Sequence, residues 1–380
     1  MKKLSTHFLA TCLLAFICTL TAQAHKYMIL YNEDSGFRRT YTLTEDGRPD
    51  VKVDEKYMSN RFTRWENIQR TSSGKQTGIL CLSGDKTNQR VAVYQMNQNG
   101  SFGNRVYHSK SWNLVIPFRR STGSTVFFMV NRRDNESTNT FQTCRESTDL
   151  GPGLRIDKGV LPKADDYQIF QAGGKRYLLM YFQKEGKGEI RELIKDGYLA
   201  DSGKQFNLPK NMTSIDTYRM KVANIDRNGH THKTFCILIR EKDGHPEIRK
   251  FQNGSLEQIV ETKTFSPGWD MSVPFSSDGA KLFFRNRRDN RVLIRAIKSD
   301  GTLGKVTFET NNWRRGWTSF TTFRTSSSRL PSKKNCYPSA VRDLGQKPPT
   351  KKASIIVFYN NDSAFDQLMQ QSFVREQDGF

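Results

Sequence analysis

One short apolar run recurs seven times along the chain, and this constrains the fold more than any other feature. The runs are Met28–Tyr31, Gly78–Leu82, Val126–Val130, Tyr177–Phe182, Phe235–Ile239, Leu282–Phe284 and Ile355–Tyr359. Each leads through a polar turn to a second, partly alternating run and then to a turn of Asp-Gly or Asn-Gly type. Those turns fall at Asp46-Gly47, Asn99-Gly100, Asp149-Leu150-Gly151, Asp196-Gly197, Asn253-Gly254, Asp300-Gly301 and Asp378-Gly379, and start 53, 50, 47, 57, 47 and 78 residues apart. An aromatic-led segment precedes the apolar run in six units: Trp65–Ile68, Trp112–Phe118, Tyr167–Phe170, Ile215–Tyr218, Trp269–Phe275 and Trp317–Phe323. Short strands at this period, without helical periodicity, predict an all-β repeat. A unit of three or four strands is the size of a propeller blade, and radial closure hides the sheet edges an open array would expose. The reading is a single β-propeller of seven blades, with six as the alternative because the first unit lacks its leading strand.

The long last interval contains an insertion at about 326–352, rich in Ser, Pro and Lys. At the other end, Met1-Lys2-Lys3, an apolar stretch from Phe8 to Leu20 and Ala22-Gln23-Ala24 have the form of an export signal over residues 1–24. Residues 25–380 are then the propeller, in a secreted or periplasmic protein with no membrane span. Beyond the signal the Cys residues are Cys81, Cys144, Cys236 and Cys336. An even number permits two disulfides, while the strand positions of Cys81 and Cys236 equally suit buried thiols.

Two sets of segments carry a resemblance. Asn312-Trp313-Arg314-Arg315-Gly316-Trp317-Thr318-Ser319-Phe320 and the Trp-x-x-x-Val-x-Phe segments resemble secreted bacterial propellers of the FG-GAP/VCBS, integrin-α-like kind. Gly268-Trp269, followed by Phe275 and Leu282-Phe283-Phe284, is similar to tachylectin-type propeller lectins. The first resemblance implies a calcium loop after an aromatic strand, the second a sugar site.

Charge adds a direction. With 60 Lys+Arg against 38 Asp+Glu the chain carries +22, which favours acidic partners. Arg132-Arg133 and Arg285-Asn286-Arg287-Arg288 are placed in turns after second strands, and Arg314-Arg315 in a connector, so propeller topology sets all three on one face. Guanidinium groups suit sulfate, carboxylate or phosphate because their fork donates parallel hydrogen bonds. Trp313, flanked by Asn312 and Arg314, is the best platform for stacking on a sugar. No cofactor is expected. Asn224-x-Asp226-x-Asn228-Gly229 has the spacing of a calcium turn, but it holds one carboxylate where calcium normally takes more.

The chain has no G-x-S-x-G, H-E-x-x-H, P-loop or dinucleotide fingerprint. The resulting expectation is an exported, non-enzymatic, lectin-like or surface-binding factor that takes acidic glycans, or a host or neighbouring cell surface, on its basic face. The alternative is a propeller glycosidase or lyase acting on anionic polysaccharide, marked by two carboxylates in a funnel. A further alternative is a charge-driven binder of nucleic acid or another polyanion.

Overall fold

In a computed structural model, the structure describes residues 26–58, 62–69, 77–82, 90–109, 112–120, 124–132, 136–147, 150–194, 197–224, 229–277, 279–311 and 317–325. These form six antiparallel sheets and no helix, so none is long and apolar enough to cross a membrane among them. Five sheets run in simple chain order from an inner to an outer strand. Their inner strands are Arg64–Gln69, Leu114–Arg119, Asp166–Ala172, Ser214–Asn224 and Trp269–Ser277, opening blades two to six. In blade four the outer strand is split into Tyr198–Leu199 and Lys204–Asn207.

Blade one is built from both ends of the described chain. Its strands Lys26–Asn32, Phe37–Leu43 and Pro49–Tyr57 lie outside Ser319–Arg324, which pairs with Lys26–Asn32 in the register Lys26↔Arg324 to Tyr31↔Ser319. The aromatic leader Trp317–Phe323 therefore serves the first apolar run, not the seventh. The blade count is six, and the leading expectation of seven is corrected for that reason. The run Ile355–Tyr359 and the turn Asp378-Gly379 lie outside the described residues, as do the signal segment and the insertion at 326–352.

The apolar runs became second strands, covered on both faces by neighbouring blades; the run Val126–Val130 is buried throughout. Aromatic residues at the inner strands fill the wedges between blades. Tyr31 of blade one meets Trp65 of blade two at 4.8 Å between ring centres. Phe283 of blade six stacks on Phe320 of the closing strand at 4.2 Å. Trp65, Trp269 and Trp317 are core residues, at 5%, 2% and 5% exposed. Cys81, Cys144 and Cys236 are free, buried thiols, and Cys336 lies outside the described residues.

The Asp-Gly and Asn-Gly turns join third to fourth strands and also seat the blade before them. Asn99 Oδ1 accepts from the Ser101 amide at 3.1 Å, an Asx turn that sets up the positive φ of Gly100 (+84°). A Cβ on Gly100 would fall 2.3 Å from Cε1 of Tyr27, in blade one, and one on Gly301 would fall 2.3 Å from Cε1 of Phe235, in blade five. Glycine is required there both for its φ and for the approach of the aromatic ring. Gly100→Ala therefore costs about 2–4 kcal/mol, the sum expected of backbone strain and overpacking. Chemical denaturation measures it, and a loss under about 0.5 kcal/mol contradicts this account of the turns.

Candidate functional site

Side chains alternate along each inner strand, so every second residue points to the propeller axis while the aromatic between them enters the blade interface. Arg64 and Glu66 flank Trp65, Asp166 and Gln168 flank Tyr167, and Ser214 and Asp216 flank Ile215. These polar residues line an axial cavity of about 660 Å³, together with Asp270 and Ser272 of blade six and Ser319 and Thr321 of the closing strand. Blade three contributes only Ile116 and Pro117, which makes one wall apolar. The lining comes mostly from the first half of the inner strands and the connector residues just before them, reaching past the midpoint at Asn67, Pro117, Pro274 and Thr322. The cavity thus lies toward the face that carries the connectors between blades and the turns between second and third strands.

Three of the cavity's carboxylates have cationic partners. Arg64 Nε donates to Glu66 Oε1 at 2.7 Å, and its Nη1 stands 3.8 Å from Asp166 Oδ1. Asp166 also accepts from the Tyr167 amide at 2.7 Å and from Gln168 Nε2 at 3.2 Å. Asp270 is gripped by both forks of Arg285, which also donates to the Trp317 carbonyl. Burial works against the Arg64 charge, but Glu66, Asp166 and Asp216 outweigh it and raise its pKa. A quarter of the Arg64 side chain is open, and the residue lines the cavity.

Asp216 differs. Among the described residues it has no cation within ion-pair distance. Its Oδ2 accepts from the hydroxyls of Ser214 and Ser272, each at 3.0 Å, leaving Oδ1 to the cavity. Burial pushes this carboxyl up to about 7, and the nearby Asp166 charge adds to the rise. The two hydroxyl bonds and Arg64 oppose the shift without cancelling it. Near neutral pH the site therefore holds an Asp216 poised between its protonated and ionised forms, beside an ion-paired Asp166. Apart from Asp216, the cluster contains two guanidinium groups against three carboxylates.

Few of the residues expected from sequence lie in the cavity. Arg132 is exposed and donates from Nη2 to the Asp165 carbonyl at 3.0 Å. Arg287 and Arg288 are exposed in the turn after the second strand of blade six. Arg285 belongs to that strand itself, where Asp270 engages its guanidinium. Arg133, Asn312, Trp313, Arg314 and Arg315 lie outside the described residues, as do Asp226, Asn228 and the side chain of Asn224. Among the described residues no group of three or more His, Cys, Asp or Glu could hold a metal ion. Sequence reasoning missed Arg64, Glu66, Asp166, Ser214, Asp216 and Ser272. Their signal was the polar residue on either side of a buried aromatic or Ile in the leading strands.

No protein-family model matches the chain, and no curated protein matches its sequence. The match is to folds. A periplasmic gluconolactonase from Pseudomonas aeruginosa superposes with a TM-score of 0.50 at 10% identity, covering 78% of this chain and 99% of that one. A functionally unknown protein from Desulfotomaculum acetoxidans gives 0.50 at 12% identity, over 77% and 82% of the two chains. A GH43_1 enzyme from Xanthomonas citri gives 0.40 at 9% identity, over 61% and 87%. The chain is a β-propeller; neither the FG-GAP/VCBS nor the tachylectin resemblance finds support beyond that fold. The comparison also corrects the expectation of a non-enzymatic, lectin-like recognition factor. The gluconolactonase carries nearly its whole length on this architecture, and Asp166 and Asp216 both line the cavity.

The raised pKa of Asp216 has a consequence for stability. A carboxyl whose folded pKa lies above its unfolded value of 3.8 stabilises fully below that value, and the contribution is lost as pH rises through 7. Asp216→Asn keeps an acceptor for both serine hydroxyls and removes the ionisable group. Its unfolding free energy relative to the parent, from chemical denaturation at each pH, should rise between about pH 4.5 and about pH 8 by at most about 3 kcal/mol. A difference that stays flat across that range contradicts the assigned protonation state.

Proposed function

We propose that this protein is a carbohydrate-active hydrolase that cleaves a glycosidic bond in the axial cavity, with Asp216 as the acid and Asp166 as its partner. The observation that carries the reading is Asp216 itself, a half-buried cavity carboxyl at about pKa 7 with a free Oδ1, beside carboxylates that are already paired. A general acid works best with a pKa near the operating pH. Two carboxyl groups whose surroundings push their roles apart are the pattern of glycoside hydrolysis.

The charge balance selects among the reactions open to such a pair. As Asp216 Oδ1 gives its proton to the glycosidic oxygen, the bond to the anomeric carbon breaks and positive charge gathers on the sugar ring. The excess of carboxylate over guanidinium favours that charge and disfavours the carbanion of a lyase or the oxyanion of acyl transfer. Arg64, the Tyr167 amide and Gln168 hold Asp166 in place. Asp166 stabilises the ring charge until water adds to the anomeric carbon, and the proton that water releases restores Asp216. The anomeric configuration of the product reports whether Asp166 also bonds to that carbon on the way. The apolar wall at Ile116 and Pro117 suits the C–H face of a sugar, while the serine, threonine and carboxylate groups opposite suit its hydroxyls.

The test uses aryl glycosides of common hexoses and pentoses. The parent enzyme should hydrolyse at least one, with a rate that falls as pH rises through about 7. Asp216→Asn should lose about 10²–10⁴-fold on a poor leaving group and be largely spared on a dinitrophenyl glycoside, which needs no acid. Asp166→Asn should lose activity on both. Hydrolysis of none of the panel, or an Asp216→Asn enzyme as active as the parent on poor leaving groups, overturns the proposal.

A further inference from the structure

Arg287 and Arg288 are charges for which the fold supplies no use. Both are exposed, and among the described residues neither guanidinium has an ion-pair or hydrogen-bond partner. Other arginines near them are committed. Arg285 is held by Asp270, and Arg291 by Ser266, Asp289, Glu309 and the face of Trp269. Across the ring, in blade three, Arg132 reaches the Asp165 carbonyl.

The turn that carries this pair is fixed, and it is fixed against the residue that precedes a cavity-lining strand. The Arg287 amide donates to the Gly268 carbonyl at 2.8 Å, and the Arg288 amide donates to Asn286 Oδ1 at 2.9 Å. Asn286, 1% exposed, donates in turn to the Pro267 carbonyl. The Arg288 chain lies against Gly268, where an added Cβ would come within 2.7 Å of its Cγ. Gly268 leads directly into Trp269 and Asp270, the start of the blade-six inner strand that lines the cavity. Two unpaired guanidinium groups thereby stand outside the cavity lining, on the rim of the face toward which the cavity lies.

Resting on the glycosidase reading above, we propose that the substrate carries an acidic group, and that this group sits on the aglycone, docked at Arg287 and Arg288. The cavity interior already holds more carboxylate than guanidinium, so a carboxylate or sulfate on the glycone would enter a repulsive field. The rim offers two free forks that suit those same groups. The protein thus selects a polymer in which a neutral residue precedes an acidic one. The net charge of +22 works in the same direction by drawing a polyanion to the surface.

The probes are disaccharides in both anomeric forms, with a neutral hexose glycone and either glucose or glucuronic acid as aglycone, together with the isomers acidic at the glycone. The readout is the ratio of kcat/KM for the acidic over the neutral aglycone. Arg287→Ala/Arg288→Ala should lower that ratio by about tenfold at low salt, and the difference should fade near 0.5 M salt. Arg119→Ala/Lys298→Ala removes equal charge from exposed positions on the opposite face and should leave the ratio where it was. The isomers acidic at the glycone should be the poorest substrates. Calorimetric binding of the same disaccharides to Asp216→Asn gives the comparison without turnover. A ratio unchanged in the rim variant, or lowered equally in both variants, overturns this inference. If Asp216→Asn still abolishes hydrolysis, the glycosidase reading survives that outcome. An Asp216→Asn enzyme of parental activity sinks the reading itself, whatever the ratio.

Discussion

The whole arrangement depends on one strand pairing, the closure of Ser319–Arg324 against Lys26–Asn32. Until that ladder forms, blade one lacks its inner strand and blades one and six each expose an aromatic wedge. Closure sets Phe320 against Phe283 and places Trp317 beside Phe37 at 6.0 Å. It also passes hydrogen bonds to both neighbours. The Ser319 hydroxyl donates to the Thr63 carbonyl of the next connector at 2.9 Å, and the Trp317 carbonyl receives Arg285 from blade six. The ladder joins residues almost 300 positions apart, so its loop-closure cost must be met by packing around the entire ring.

The site is a by-product of that ring. Inner strands must present one side chain to the wedge and the next to the axis, and once the ring closes the axial side chains from different blades face one another. Serines from blades five and six meet over Asp216, joined through the Ser272 amide and the Ser214 hydroxyl at 3.2 Å. Arg64 of blade two reaches toward Asp166 of blade four. Asp216 is held by Ser272 of the next blade as well as by its own Ser214, so its protonation state is a property of the closed propeller. Elsewhere a similar logic holds blades together without lining the cavity. Arg38, 2% exposed, pairs with Asp54 at 2.8 Å and lies 3.6 Å above the ring of Phe102 in blade two.

Much of this was legible from the residues in order. The aromatic leaders, the apolar runs and the Asn-Gly and Asp-Gly turns map onto inner strands, second strands and outer turns, because each reflects local geometry that a period of about 50 residues repeats. The blade number was less legible, since Trp317–Phe323 precedes one apolar run in sequence and pairs with another in space. Non-local pairing of the two ends leaves no local mark. The cavity was harder still. Asp166, Asp216 and Arg64 stand in three different blades, and nothing in their spacing brings them together. Arginine clusters such as Arg285–Arg288 drew attention because charge density is visible in one dimension, yet Arg285 is spent on Asp270 inside the fold. Aligning the six leaders on their buried aromatic or Ile would have exposed the polar residues flanking it as the axial set.

The central claim is that the closed ring lifts the Asp216 pKa to about 7 by taking the carboxyl out of water without giving it a cation. Titration of the aspartate side-chain carboxyl carbons by ¹³C NMR tests this directly, with Asp216→Asn identifying the resonance. The account predicts a single carboxyl that titrates near 7 and disappears in the variant. An Asp216 resonance that titrates near 4, like an ordinary solvated aspartate, would contradict it.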